Sequence, residues 1–213
     1  MQEIRYPYLG ATWLAAVREV YRAGLTITGE TREVLGLYTT FEQGDFPQDP
    51  LLARFASLRH VEEMRKVFFS ADTNLFGHSY HDGLRGPRGR CDLSDVVELL
   101  AAEPCSKRAL LTLTGGNGRV PCINAVHFLR RNQGLQAVYF ARGQDMFRKF
   151  YADALCIHEM GRRVASALDV PLLTVSGLTS SAHIYLADLP EIEKLLAEAA
   201  TLPEQAVLHE EKA

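Results

Sequence analysis

Apolar positions recur at helical spacing along much of the chain. Ala11 to Gly24 carries Trp13, Leu14, Val17, Val20 and Tyr21 on one stripe, with Gly24 where a C-cap belongs. From Pro50 to about Ala71, Leu52, Phe55, Leu58, Val61, Met64, Val67 and Phe68 return every three or four residues between charges, which predicts one long half-buried helix. Asp92 or Ser94 is placed to cap a short helix through Val96, Val97, Leu99 and Leu100. Ala152 to Leu168, with Leu155, Ile157, Met160, Val164 and Leu168 inward, and Pro190 to Ala200 predict two more.

Between these lie β-patterned segments. Glu33 to Phe41 is rich in β-branched and aromatic residues. Lys107 to Thr114, Ile123 to Arg130 and Leu135 to Arg142 read as three adjacent strands. A Gly-Gly-Asn-Gly turn separates the first two, and Asn132-Gln133-Gly134 joins the last two as a hairpin. Further strands are expected at Leu172 to Val175 and around Ala182 to Leu186. The polar, Gly- and Arg-rich loop from Asp72 to Cys91 has the composition of a segment that covers or lines a site. The sum is an α/β (α+β) chain with a mixed sheet covered by helices. No repeat, low-complexity stretch or linker divides it, so 1–213 reads as a single domain with a mobile tail from about 201 to 213.

Charge and cysteine usage narrow the function classes. Lys+Arg 23 against Asp+Glu 26 gives a formal charge of −3, so an anionic ligand must be met by a local cation cluster rather than by a global field. No stretch approaches the ~18 apolar residues that span a bilayer, and MQEIRYPYLG lacks a secretory pattern, which makes the cytoplasm the expected location. Cys91, Cys105, Cys122 and Cys156 form no C-x-x-C pair and have no His at zinc spacing, so neither a disulfide framework nor a metal site is expected.

The informative stretch is PCINAVHFLRRNQGLQAVYFARGQDMFRKFYAD, Pro121 to Asp153, followed by SSAHIYLAD, Ser180 to Asp188. Pro-Cys before a strand, a hairpin, Arg-x-x-Asp-hydrophobic-Phe, a helix and His-x-Tyr stand in that order and register. This resembles the thymidylate synthase family, without a gap from Cys122 to Tyr185. Ser106-Lys107-Arg108 lies where the family has an Arg-Arg pair, and Ala71-Asp72-Thr73-Asn74 resembles its Gly-Asp-Thr-Asn. Thr31 to Glu42 looks closer to short archaeal synthases and the cytidylate hydroxymethylases.

The resemblance implies one-carbon transfer to C5 of a pyrimidine nucleoside monophosphate. A pyrimidine C5 is a poor nucleophile until a thiolate adds to C6, and Cys122 is the candidate; for a lone Cys the usual fate is burial. Arg142 would stabilise the thiolate and hold phosphate, where the plain alternative is a solvated strand-end arginine. By resemblance Asp145 gives its N–H to the pyrimidine O2 and its side chain to folate, His183 and Tyr185 bind the ribose, and Lys107 and Arg108 reach a partner subunit's phosphate across a homodimer formed by one sheet face. Arg32 is a weaker phosphate candidate. The family's general-base Glu falls in register on Met64, beside Glu62 and Glu63, and Glu63 is taken as its stand-in.

Asp153 replaces the family's Asn, which reads the uracil N3–H and O4. A carboxyl suits the inverted edge of cytosine, so hydroxymethylation of a cytidine monophosphate is the leading expectation. The plain alternative for Asp153 is a helix N-cap. The implied cofactor is 5,10-methylenetetrahydrofolate, although the Trp-bearing folate segment, a His after the nucleophile and the closing C-terminal segment have no counterparts here. Acyl or amide transfer through a Cys122 thioester, and a non-catalytic nucleotide-binding homologue, are the competing readings.

Overall fold

The computed structural model describes residues 2–72, 79–89, 92–113 and 120–202. The Thr73-Asn74 pair, Cys91, the Gly-Gly-Asn-Gly turn and most of the expected tail lie outside the described residues.

Eight strands form one mixed sheet: β1 (Gln2–Arg5), β2 (Leu25–Ile27), β3 (Thr31–Phe41), β4 (Leu84–Arg85), β5 (Leu110–Leu113), β6 (Ile123–Arg131), β7 (Gly134–Asp145) and β8 (Leu172–Tyr185). Their order is β1-β3-β8-β7-β6-β5-β4, with β2 paired to β3. The β1–β3 and β7–β8 pairs are parallel and the others antiparallel. The helices are α1 (Leu9–Ala23), α2 (Pro50–Phe55), α3 (Leu58–Phe69), α4 (Ser94–Ala102), α5 (Phe150–Ala167) and α6 (Leu189–Ala199). The mixed α/β class and the adjacency of the three central strands are as the pattern predicts. The short β1 and β2 were not anticipated.

The expected long helix is two. It breaks at Ala56-Ser57, where Ser57 turns extended, caps α3 by accepting the His60 N–H at 3.3 Å, and gives its own N–H to the Tyr151 hydroxyl at 3.1 Å. α2 has its own cap: the buried Asp49 carboxylate accepts from Leu51, Leu52 and Gly10 N–H, pinning α1 to α2. The two expected C-terminal strands are instead one, β8. Its Ser-Gly-Leu-Thr-Ser-Ser interior reads as a loop in sequence, yet Gly177 leaves room for the Tyr139 ring, whose Cζ would lie 2.0 Å from an added Cβ. The Ser176 and Thr40 hydroxyls bond each other at 3.0 Å.

At one level the sheet loses step. The pairing of β3, β8 and β7 skips Gly36 (φ 71°), Ser180 and Arg142, and β6 carries a bulge between Ile123 and Ala125. Thr179 and Ala182, an odd number of residues apart, are both fully buried, so the alternation has changed phase between them. Gln144 thereby turns inward beneath α5. On the opposite face the row Tyr38, Leu178, Phe140, Ala125 runs across the sheet, with Phe140 39% exposed among the described residues.

Gly177→Ala should force the Tyr139 ring from its seat and cost about 1–3 kcal/mol of stability, the usual penalty for overpacking. Urea unfolding of the two proteins measures it, and an unchanged midpoint would show that the ring can move freely.

Candidate active site

Cys122 sits half-buried in the turn that enters β6. Arg142 clamps that turn. Its backbone N–H donates to the Cys122 carbonyl at 3.0 Å and to Asn124 Oδ1 at 3.1 Å. Its guanidinium returns to the carbonyls just before the cysteine, Nε to Pro121 at 3.1 Å and Nη2 to Val120 at 3.0 Å. Asn124 Nδ2 also donates to the Pro121 carbonyl, at 3.0 Å. Arg142 is exposed and does not end its strand, which runs on to Asp145. A guanidinium has five N–H donors, so this clamp leaves capacity for an anion beside Cys122.

Tyr80, which the sequence pattern did not single out, is 4% exposed and packs edge-on against Phe68 at 4.9 Å. Its phenol oxygen receives the backbone N–H groups of Ile123 and Cys122, and Asp153 and Cys122 are its charged neighbours. Burial, then those two charges, push its pKa far up, so it is a neutral phenol at neutral pH.

Asp153 is not the expected N-cap: Lys149 holds that position and Asp153 lies inside the first turn of α5, 2% exposed. Oδ2 accepts from Gln144 Nε2 at 2.9 Å, while Oδ1 is buried without a partner. Burial raises its pKa to about 6, against the lowering effects of the Gln144 bond and of Lys149. Buried carboxylate oxygens are rarely left unpaired, and such an atom is poised for an incoming donor or for a proton of its own.

Asp145 and His183 are cross-strand neighbours at the ends of β7 and β8. Asp145 Oδ1 accepts from the Phe147 and Arg148 N–H groups at 2.9 and 3.0 Å, and burial raises its pKa. His183 and Tyr185 meet edge to face with centroids 5.5 Å apart. The Tyr185 phenol is raised by burial first, then by Asp145 and Cys122, which places these groups in one electrostatic neighbourhood. Arg148 forks onto the buried Asp188, Nε to Oδ2 at 2.8 Å and Nη2 to Oδ1 at 2.5 Å, holding the β7–α5 turn against the end of β8. Trp13, from α1, braces the same turn by donating Nε1 to the Met146 carbonyl at 2.9 Å.

Cys122, Arg142, Asp145, Asp153, His183 and Tyr185 are therefore gathered around one end of β6, β7 and β8. Lys107 and Arg108 are exposed beyond α4, and Arg108 pairs with Glu103 at 2.7 Å. Arg32 lies on the α1 side, its guanidinium 5.6 Å from the Tyr21 ring centre. Glu63 bonds Lys66 at 2.7 Å on α3, while Met64 is buried in the core. Of the remaining described cysteines, Cys156 is buried, the usual fate of a free cysteine, and has its thiol pKa pushed well up by burial, whereas Cys105 is exposed. A cleft of about 730 Å³ between α3, α5 and the segment 44–47 contains none of the candidate site residues. Among the described residues no group of His, Cys, Asp and Glu could hold a metal ion.

Tyr80, Gln144, Tyr139 and Thr179 were missed. Gln144 stands inside Arg-x-x-Asp at a position the motif leaves free, and its neighbour Tyr139 reads as an ordinary strand aromatic.

No protein-family model matches the chain. In sequence it is similar to a protein named "Putative thymidylate synthase" from Methanothermobacter marburgensis, 24% identical over 91% of this chain and 97% of the relative. A protein of the same name from Methanococcoides burtonii is 23% identical over 86% of this chain and 89% of the relative. Among solved structures, the thermostable thymidylate synthase A of Bacillus subtilis superposes with a TM-score of 0.67 and 13% identity, over 88% of this chain and 84% of that one. In sequence along nearly its whole length the chain is thus similar to these archaeal proteins, and its fold is thymidylate synthase-like.

Proposed function

We propose that the chain carries out one-carbon transfer to C5 of a pyrimidine nucleoside monophosphate, with a cytidine nucleotide as substrate and the 5-hydroxymethyl nucleotide as product. The observation that carries the choice of base is the buried, unpartnered Oδ1 of Asp153. The Cys122 thiolate adds to C6 and the ring becomes enolate-like at C5. Arg142 keeps the nucleophile's turn in place and offers its free N–H groups to the phosphate. C5 attacks the methylene carbon of the donor and then loses its proton, Cys122 is eliminated from C6 to leave an exocyclic methylene, and water adds to that methylene to give the 5-hydroxymethyl group. Asp153 pairs with the base edge, and His183 and Tyr185 take the ribose hydroxyls.

By resemblance the electrophilic carbon comes from 5,10-methylenetetrahydrofolate, which supplies it as an iminium-like methylene unit. The described residues do not build a folate half. Trp13, the chain's single tryptophan, is 1% exposed and spent on the Met146 carbonyl, and the Asp145 carboxylate is spent on its own turn. The nucleotide half is what these residues account for.

The sheet face away from α5 supports a homodimer: its Tyr38–Leu178–Phe140 row is apolar and partly exposed. In such a dimer Lys107 and Arg108 act on the partner's phosphate. The Arg108–Glu103 pair is no obstacle, because an exposed ion pair is worth little and exchanges readily for a phosphate.

Three measurements test these assignments. Cys122→Ser should abolish turnover but keep nucleotide binding in a thermal-shift panel of CMP, dCMP, UMP and dUMP, with and without tetrahydrofolate. The cytidine nucleotides should bind on the order of 10²-fold better. Retained turnover removes the nucleophile, and equal binding of all four removes the base assignment.

Mixing inactive Cys122→Ser with inactive Lys107→Ala/Arg108→Ala subunits should restore part of the activity, since one site of the mixed dimer is intact. No recovery after proven subunit exchange would mean that each site is built from one chain.

Asp153 also makes a stability prediction. The folded chain holds this proton more tightly than the unfolded chain does, so its contribution is fully present below about pH 4 and is lost as pH rises through about 6. Asp153→Asn should therefore be more stable than wild type at pH 7.5, by on the order of 2 kcal/mol, with the difference vanishing near pH 4. Urea midpoints across that range measure it, and a pH-independent difference would show that burial does not raise the carboxyl's pKa in the fold.

A further inference from the structure

Behind Asp153 stands a relay of neutral polar side chains. Thr179 Oγ1 donates to Gln144 Oε1 at 3.0 Å, and the Tyr139 hydroxyl approaches the same oxygen at 3.5 Å. All of these groups are buried. Burial holds the Tyr139 phenol neutral and able to donate. With Oε1 taken by two hydroxyls, the Gln144 amide is fixed with its NH₂ towards Asp153 Oδ2, 2.9 Å away. The opposite orientation would set a carbonyl against a carboxylate.

We propose, resting on the reading that Asp153 faces the base, that Gln144 is the positioning residue that sets base choice: its donor on Oδ2 dictates what the other atom of residue 153 offers to N3 of the ring. A proton held by Asp153 must then reside on Oδ1, the atom the fold leaves unpaired. Oδ1–H donates to cytosine N3, and the second lone pair of Oδ2 accepts from the N4 amino group. An amide at 153 obeys the same constraint. Its carbonyl takes the Gln144 N–H, and its NH₂ falls at the Oδ1 position, still a donor to N3. Uracil, with N3–H, meets a donor in both cases. Exchanging the carboxyl at 153 for an amide therefore leaves the pattern unchanged, and inverting it requires an acceptor at 144.

The test compares wild type, Asp153→Asn, and Asp153→Asn combined with Gln144→Glu. The double exchange conserves volume and net charge. One Glu oxygen accepts from Thr179 and Tyr139 and the other from the Asn NH₂, which turns the Asn carbonyl towards the base. The readout is kcat/KM for CMP, dCMP, UMP and dUMP, with Kd by calorimetry where turnover is absent. A packing role alone would lower all four together. Asp153→Asn should keep a cytidine preference of roughly 10-fold or more, and the double exchange should prefer uridine by about as much. Uridine preference in Asp153→Asn alone, or cytidine preference surviving the double exchange, overturns the role of Gln144 and leaves the base assignment standing. A wild type with no cytidine preference instead removes the base assignment, and this inference with it. If the double exchange does not fold, Asp153→Asn with Thr179→Val frees the Gln144 amide to turn over. That variant should bring the preference to within roughly 3-fold of unity, and retention of the full preference overturns the proposal.

Discussion

The change of phase across β3, β8, β7 and β6 is the constraint on which the site depends. In a regular sheet Thr179 and Ala182 would face opposite ways, and Gln144 could not reach both Thr179 and a residue of α5. The skipped pairings at Gly36, Ser180 and Arg142 and the bulge at Asn124 supply the extra turn. Arg142 is part of that irregularity. Because it is out of the regular ladder its N–H is free to hold the Cys122 carbonyl and Asn124, and its side chain can fold back over the nucleophile's turn. Bulges commonly re-aim side chains next to active sites, and here one bend sets both the Cys122 turn and the Gln144 amide that meets Asp153.

The elements around this bend are fixed by different means. The β7–α5 turn is held from one side by Trp13 on the Met146 carbonyl and from another by the Arg148–Asp188 fork. Asp145 satisfies the first N–H groups of the same turn. Two side chains from distant parts of the sequence, Trp13 and Asp188, thus converge on a turn that Asp145 braces from within. This is the arrangement expected where a backbone N–H must be held in one place for a ligand. It also explains why Trp13 is unavailable for stacking on anything outside the core.

Periodicity made most of the helices and central strands legible, because a buried stripe at period 3.6 or 2 is written directly in residue type. It misled where polar residues are buried for a specific partner. Ser57 breaks an apolar stripe that continues unbroken in spacing, and Ser176, Gly177 and Thr179 look like loop residues although each faces a matched neighbour across the sheet. The site shows the same division. Cys122, Arg142, Asp145, Asp153, His183 and Tyr185 are named from sequence because they occupy motif positions. Tyr80 and Gln144 act through contacts at long sequence separation, |i−j| of 9 for Gln144 to Asp153 and 35 for Gln144 to Thr179, and single-sequence patterns do not encode such pairs. The plain alternative for Asp153, a helix N-cap, does not hold, because Lys149 takes that position and Asp153 is buried inside the first turn.

A fully buried carboxyl with one unpaired oxygen is costly, and this fold contains the means to reduce the cost without removing it. Gln144 satisfies Oδ2, yet desolvation outweighs that bond and Lys149 together, so the pKa remains raised. An apolar residue at 153 would pack more stably, and an extra donor beside Oδ1 would hold the carboxylate ionised. Neither is present among the described residues. A raised pKa near 6 leaves the group able to hold or release its proton at neutral pH, and the unpaired oxygen leaves one direction for that exchange. Both features are disadvantages in a core and become useful only when a ring with its own donor and acceptor lies against them, which is why the burial of Asp153 argues for a base-recognition role more strongly than its sequence position does.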